Sequence, residues 1–317
     1  MRPAAPWRFA RWGLGITAVA LAVAVAQGAA ADPLPTRPSG AQMPSRVVSI
    51  NLCTDQLAMM LAAPGAGAKP GQLISVSTLA SDPMSSSMAA EAAAYPANRG
   101  SAEQVFMMNP DLVLAGTFTS RATVDLLRRL GVRVVEIAPV TSLQGVSDQI
   151  RQVAAALGRF EAGEALVARF EADLAALAPP SDSQASRLRA ALYYPNGYTI
   201  GKGTLSDDIL ARTGFINIAT ELGRAGGGNL AMELLVMAGP DLVVTSKPYP
   251  GASRSEALLR HPALAQLGAQ DGQAALLATS DADWICGTPH VLRAVAEMRA
   301  AHQRAIAGPA APMQSLP

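Results

Sequence analysis

The chain has 317 residues, a formal net charge of +1, and hydrophobic side chains at half its positions. That balance gives no support for nucleic-acid binding or broad association with an anionic membrane. Two cysteines exclude a disulfide-dense scaffold, and three scattered histidines are too few for a dedicated zinc or manganese site, so no resident metal or cofactor is expected.

The first elements describe export. Arg2, Arg8 and Arg11 form a positive start, residues 14–26 an apolar run, and Ala29, Ala30 and Ala31 a small-residue cleavage site before Asp32. This is the three-part pattern of a cleavable signal peptide over residues 1–31. The apolar run, about 13 residues, falls short of the roughly 20 a spanning helix needs. The expected product is an exported chain with a short lead over residues 32–45.

From Arg46 short β-rich runs alternate with helical stretches. Strands are expected at 46–50, 72–77, 111–116 and 132–137, with helices at 54–62, from Ser101, and at 121–130. Ser101 followed by Gln104 fits a capping box. Residues 78–100 read mostly as loop. Residues 142–178 carry no strand signal and read as helix to Leu157, a break at Gly158, and a second long helix. Pro179 and Pro180 close that stretch. Alternation then resumes, with strands at 187–194, 241–246 and 274–280. Helices follow at 205–213 and 232–238, at 255–267 with a break near Pro262, and at 289–306. Residues 308–317 read as a frayed tail. Strand–helix alternation of this kind implies parallel sheets with helices on their faces. The expected organisation is an α/β lobe at 46–141, a linking helical segment at 142–180, and a second α/β lobe at 181–307.

One unit occurs twice. Residues 103–113 and 233–243 each begin with Glu and reach Pro-Asp-Leu-Val seven residues later, at a constant offset of 130 residues. Pro-Asp accounts for a helix-to-strand turn. The residues alone leave Glu103 and Glu233 open between dipole partners of a helix start and recognition groups.

In open α/β sheets ligands bind beyond the carboxyl ends of the strands. Those positions hold Asn51, Cys53, Phe118, Arg121, Tyr194, Tyr198, Tyr249 and Trp284. Trp284 is the sole Trp after residue 12, and the aromatic clustering in an aromatic-poor chain points to a cleft for a sizeable organic ligand. Enzyme signatures are weak: H-E-x-x-H, G-x-S-x-G and a complete G-x-G-x-x-G are lacking. Gly201-Lys202-Gly203-Thr204 reads as a turn, and Gly226-Gly227-Gly228 as a flexible loop. Cys53 and Cys286 admit a disulfide, a ligand contact or two unrelated buried thiols, and the sequence favours unrelated or structural roles.

The segments RVVSINLCTDQLAMML, NRGSAEQVFMMNPDLVLAG and DWICGTPHVL, with the repeated Glu-to-Pro-Asp unit, resemble the periplasmic substrate-binding proteins of ABC importers for ferric siderophores, haem and cobalamin. That resemblance implies two Rossmann-like lobes with mostly parallel sheets, joined by a long linking helix with the ligand cleft between them. It implies a monomer that captures a metal chelate and docks Glu103 and Glu233 on arginines of the transmembrane permease subunits. The rigid linker implies a modest closure. The segment before Glu233 is glycine-rich rather than aromatic, unlike cobalamin-binding members. Arg121 and Lys202, with Arg99 and Lys247, are the candidates for charge against an anionic siderophore. Two rivals stay open: an exported α/β enzyme with a cleft cysteine as nucleophile, and an interaction protein with an empty cleft.

Overall fold

The computed structural model describes residues 43–62, 71–178, 188–250, 254–267 and 275–307. The expected signal peptide, most of the lead and the C-terminal tail lie outside the described residues.

The first half contains β1 (Val47–Ser49), α1 (Leu52–Ala62), β2 (Leu73–Ser77), α2 (Ala89–Ala92), β3 (Ala97–Asn98), α3 (Ala102–Met107), β4 (Leu112–Gly116), α4 (Arg121–Arg129) and β5 (Val134–Ile137). These strands form a parallel sheet of order β3-β2-β1-β4-β5. Strands β1 and β4 are buried throughout, which suits their unbroken apolar runs between helical layers. The chain leaves β1 towards one edge and returns beside it as β4, so the topological switch lies at β1 and β4. The 78–100 segment is more ordered than its composition suggests. It holds a 3₁₀ turn at Thr78–Ser81, then α2 and β3.

Two helices follow, α5 (Leu143–Leu157) and α6 (Phe160–Ala176). The linking segment is thus a helix pair, broken where Gly158 adopts φ 69° in the left-handed region. Ser142 caps α5 through its hydroxyl, which accepts from the Gly145 amide.

The second half contains β6 (Leu188–Leu192), β7 (Tyr198–Ile200), α7 (Leu205–Arg212), β8 (Phe215–Asn217), α8 (Ile218–Glu221), β9 (Gly227–Asn229), α9 (Met232–Ala238), β10 (Leu242–Ser246), α10 (Pro262–Leu267), β11 (Ala275–Thr279) and α11 (Val291–Ala307). Strands β11-β10-β6-β8 form a parallel sheet, and β7 pairs antiparallel with β9. The glycine run 226–228 is therefore not a free loop. Gly227 and Gly228 pair with Ile200 and Thr199, and the Tyr198 ring lies where a side chain at Gly227 would stand.

One core cluster runs through both halves. Val47, Leu112 and Leu114 from the first sheet, Val146, Ile150 and Val153 from α5, and Leu192, Val244, Val291 and Met298 from the second half belong to it. Asp208 of α7 also accepts a hydrogen bond from the Leu143 amide at the start of α5, at 2.7 Å. Shared packing of this kind couples the halves through close-packed side chains.

The repeated unit has a repeated anchor. The Asp111 carboxylate accepts from the amides of Ser45 and Arg46, and the Asp241 carboxylate from that of Arg189. The Arg46 guanidinium donates to the carbonyls of Met108 and Asn109 at the end of α3. Arg189 does the same for Ala238 and Gly239 at the end of α9. Asn109 and Gly239 both take left-handed backbone, at φ 48° and 58°. Pro-Asp thus joins each helix to its strand, with an arginine satisfying the helix's terminal carbonyls.

Candidate ligand pocket

A cavity of about 460 Å³ opens between the two sheets. Such a volume lies in the range of small-molecule sites. The first half lines it with residues just past its strands: Asn51, Cys53 and Thr54 after β1, Gly116 to Phe118 at β4, and Ile137 to Thr141 at β5. This is the crevice at the switch point. The second half lines it differently. Its contributions are Tyr198 and Ile200 of β7, Gly203 to Ser206 at the start of α7, and Trp284, Ile285 and Gly287 of the segment before α11.

Asn51 both lines the pocket and caps α1, its Oδ1 accepting from the amides of Cys53 and Thr54 at 3.1 and 3.3 Å. Gly116 makes room for it: a Cβ there would stand 2.7 Å from Asn51 Nδ2. Phe118 is 88% exposed and Tyr198 44%, so the cavity has one free aromatic face from each half. Trp284 is 7% exposed, and its indole Nε1 has no partner among the described residues. Gln149 of α5 also reaches the lining, its Nε2 donating to the Ala138 carbonyl. Hydroxyls of Thr, Ser and Tyr and the amides of Asn51 and Gln149 supply the polarity. Among the described residues, no Asp, Glu, Lys, Arg or His belongs to the lining.

Five of the nine expected ligand residues meet here: Asn51, Cys53, Phe118, Tyr198 and Trp284. The other four stand apart. Arg121 and Lys202 are exposed outside the lining, Arg121 on the first turn of α4 and Lys202 bridged to Ala225. Tyr194 packs against the main core, where burial and then Asp281 push its phenol pKa up. Tyr249 donates its hydroxyl to Asp281 and its amide to Glu256. The sequence reading named nothing past the 132–137 strand, where the strand-end rule points to Val140 and Thr141. The start of α7 and Gln149 follow no strand directly, and no composition signal marks them.

The cysteines are joined. Cys53, in the first turn of α1, and Cys286, before α11, form a disulfide across 233 residues of sequence. Of the readings left open for the two cysteines, the structural bridge is the one formed; spacing along the chain could not choose it, since only folding brings the two segments together. The bridge lies in a seam between the halves. Thr288 Oγ1 donates to Gln56, Ser87 Oγ lies within hydrogen-bonding distance of Ala282 O and Asp283 Oδ1, and Gly287 packs so closely that a Cβ would meet Val140 at 2.1 Å. A bridged thiol is no nucleophile, so the cysteine-enzyme reading loses its reactive group.

Next in sequence to the lining residue Thr54, Asp55 of α1 is fully buried and accepts a 2.5 Å bond from Ser77 Oγ. Burial pushes its pKa up to about 6 against the opposing hydroxyl and backbone donors. Among the described residues no group of three or more His, Cys, Asp or Glu converges as a metal site, and no helix is long and apolar enough to cross a membrane.

Glu103 and Glu233 stand apart from the pocket lining, exposed at the starts of α3 and α9.

Residues 47–271 match the family model described as periplasmic binding protein, and the chain belongs to that family. A cobalamin-binding protein of Halobacterium salinarum is 31% identical over 145 residues, 45% of this chain; the chain spans 39% of that relative's length. The apo form of a periplasmic haem-binding protein from Roseiflexus sp. RS-1 aligns with a TM-score of 0.65 at 22% identity, over 83% of this chain and 99% of the other. A periplasmic vitamin B12-binding protein of Vibrio cholerae aligns with a TM-score of 0.61 at 17% identity, over 83% and 98%. At these identities the structural likeness shows the fold: two α/β lobes joined by a helical link.

Proposed function

We propose that the chain is the solute-capturing component of an ABC importer, that it binds a chelate with a largely uncharged rim, and that it is not an enzyme. The observation that carries the ligand class is the lining: hydroxyls, amides and aromatic faces, with no ionised side chain among the described residues. An anionic ferric siderophore calls for cationic partners, and Arg121 and Lys202 stand outside the lining. A corrinoid fringed with carboxamides suits neutral donors and acceptors, and the similarity to a cobalamin-binding protein supports the same class. Phe118 and Tyr198 then hold the macrocycle edges from opposite lobes, with Trp284 at the pocket floor. A ligand of that size fills the cavity and extends beyond its mouth. Residues 1–31 direct export, and delivery to the permease runs through Glu103 and Glu233, exposed carboxylates suited to charge-assisted bonds with arginine.

Haem is the second reading, because Tyr198 belongs to the lining and its phenol, packed over Gly227, can turn towards the cavity. A titration of the exported chain with cyanocobalamin, cobinamide, haem and ferric siderophores tests both. Trp284 emission, corrected for ligand absorbance, and calorimetry are the readouts. Saturable binding of a corrinoid with weaker haem binding supports the first reading. Tight haem binding, lost in Tyr198→Phe, replaces it with the second. Binding of an anionic siderophore alone contradicts both.

A further inference from the structure

The repeated unit divides into positions that the fold consumes and positions that it leaves over. Asp111 and Asp241 are spent on strand amides, and Asn109 and Gly239 on a backbone turn. Val105 and Leu235, also 130 apart, are fully buried. What remains is the outward face. Glu103 and Glu233 are exposed and have no hydrogen-bond or ion-pair partner among the described residues. Met107 and Met237, again 130 apart, are each 82% exposed, and Phe106 and Val236 are 41% and 39% exposed. Apart from Phe118 at the pocket, the two methionines are the most exposed large apolar side chains among the described residues.

One exposed methionine needs no explanation, but each of these continues into a half-exposed apolar neighbour, stands beside a carboxylate and recurs at the same place in both halves; contiguous apolar surface rimmed by polar groups marks interaction sites. Methionine is also a side chain that adapts to the shape of a partner's surface. We infer that Phe106-Met107 and Val236-Met237 are a matched pair of apolar docking knobs, one beside each acid. Their partner is a two-fold membrane protein that offers, in each half, an apolar socket next to a basic group. The duplication argues for the two-fold partner: a device built twice in one chain fits a surface presented twice. The flanking carboxylates argue for its basic groups by charge complementarity. This inference rests on the docking reading of Glu103 and Glu233 and adds to it. The acids set approach and register, and the methionines supply contact that salt does not screen.

The test uses fluorescently labelled exported chain titrated onto spheroplasts of the source organism, with protein-free vesicles of the same lipid as control. Wild type is compared with Met107→Gln/Met237→Gln, with each single variant, and with Glu103→Gln/Glu233→Gln, at low and high salt. All substitutions are at exposed sites, and circular dichroism checks folding. The expected result is saturable binding to spheroplasts only, weakened at least tenfold in the methionine pair at both salt concentrations. Each single variant accounts for part of the loss, and the glutamate pair is weakened mainly at low salt. Binding by the methionine pair within twofold of wild type overturns the inference. If the glutamate pair is impaired in that case, the acid docking stands alone; if neither pair is impaired, the docking reading falls too. Equal binding to protein-free lipid, or a loss traced by sedimentation to self-association, also overturns it.

Discussion

The two lobes share a fold and a repeated helix-to-strand unit, yet they build their halves of the pocket by different means. The first lobe uses its sheet: the ends of β1, β4 and β5 line the cavity at the switch point of a β3-β2-β1-β4-β5 sheet. The second lobe covers its own. After β6 the chain doubles back, with the Tyr194 amide donating to the Tyr198 carbonyl and Thr199 Oγ1 to the Leu192 carbonyl. Its contribution to the lining comes from that returning strand, from the first turn of α7 and from the segment at Trp284. A common sheet plan therefore does not fix where a binding surface lies; what is laid over the strand ends does.

The seam that joins the lobes is the place to break the comparison most severely. In Cys53→Ser/Cys286→Ser a 233-residue loop is no longer closed. Loss of a native bridge costs about 2–5 kcal/mol, by an amount that depends on residual structure in the unfolded chain. The chain stays folded through its shared core but melts lower and holds ligand less tightly, because Trp284 and Ile285 sit beside the bridge. A reducing agent added to the wild type lowers the calorimetric melting temperature in the same direction. A melting temperature unchanged by either treatment contradicts the role of the seam.

A smaller effect separates the lobes by pH. Asp55, buried on α1 of the first lobe, has a folded pKa near 6 because of burial. A carboxyl raised in this way favours the fold fully below its unfolded pKa of about 4 and ceases to do so as pH rises through about 6. Stability from this group therefore falls between pH 4 and 6, by an amount on the order of 3 kcal/mol. Asp55→Asn should remove that slope and stabilise the protein at pH 7.5 relative to wild type. Urea denaturation at pH 4.5 and 7.5 reads it, and an unchanged slope in the variant contradicts the assignment.

The mildest test sets one glycine against another. Gly116→Ala drives a methyl group at Asn51, the cap of α1, and should cost about 1 kcal/mol of stability together with affinity. Gly227→Ala meets the far end of the Tyr198 side chain, which can swing away. It should lower affinity and leave the melting temperature nearly unchanged. Parallel melting and binding curves check the split, and equal losses of stability would erase the distinction between a structural rim and an overlaid one.

The sequence was most legible where local pattern and tertiary role coincide. Strands such as 112–116 carry their apolar runs openly, and Asn51, Cys53 and Phe118 followed from being next after a strand. The capping box at Ser101 was half right. Its hydroxyl accepts from the Gln104 amide, but the Gln104 side chain accepts from the Arg99 amide instead of closing back on Ser101. Strand β9 was hidden because Gly-Gly-Asn has no β propensity of its own and pairs only because β7 lies beside it. Tyr194 and Tyr249 misled for a related reason. Each follows a strand, but later chain segments enclose one and give the other a carboxylate partner. The disulfide left no trace in spacing, since only the fold brings residues 53 and 286 together.

The most direct measurement is calorimetric titration of cyanocobalamin into wild type, Phe118→Ala/Tyr198→Ala and Arg121→Ala/Lys202→Ala. All four positions are exposed, and the two pairs differ in whether they line the cavity. Saturable binding by wild type is predicted, with a loss of at least tenfold in the aromatic pair and a change within twofold in the cationic pair. Absence of binding by wild type, or a loss confined to the cationic pair, would contradict an uncharged pocket closed by one aromatic face from each lobe.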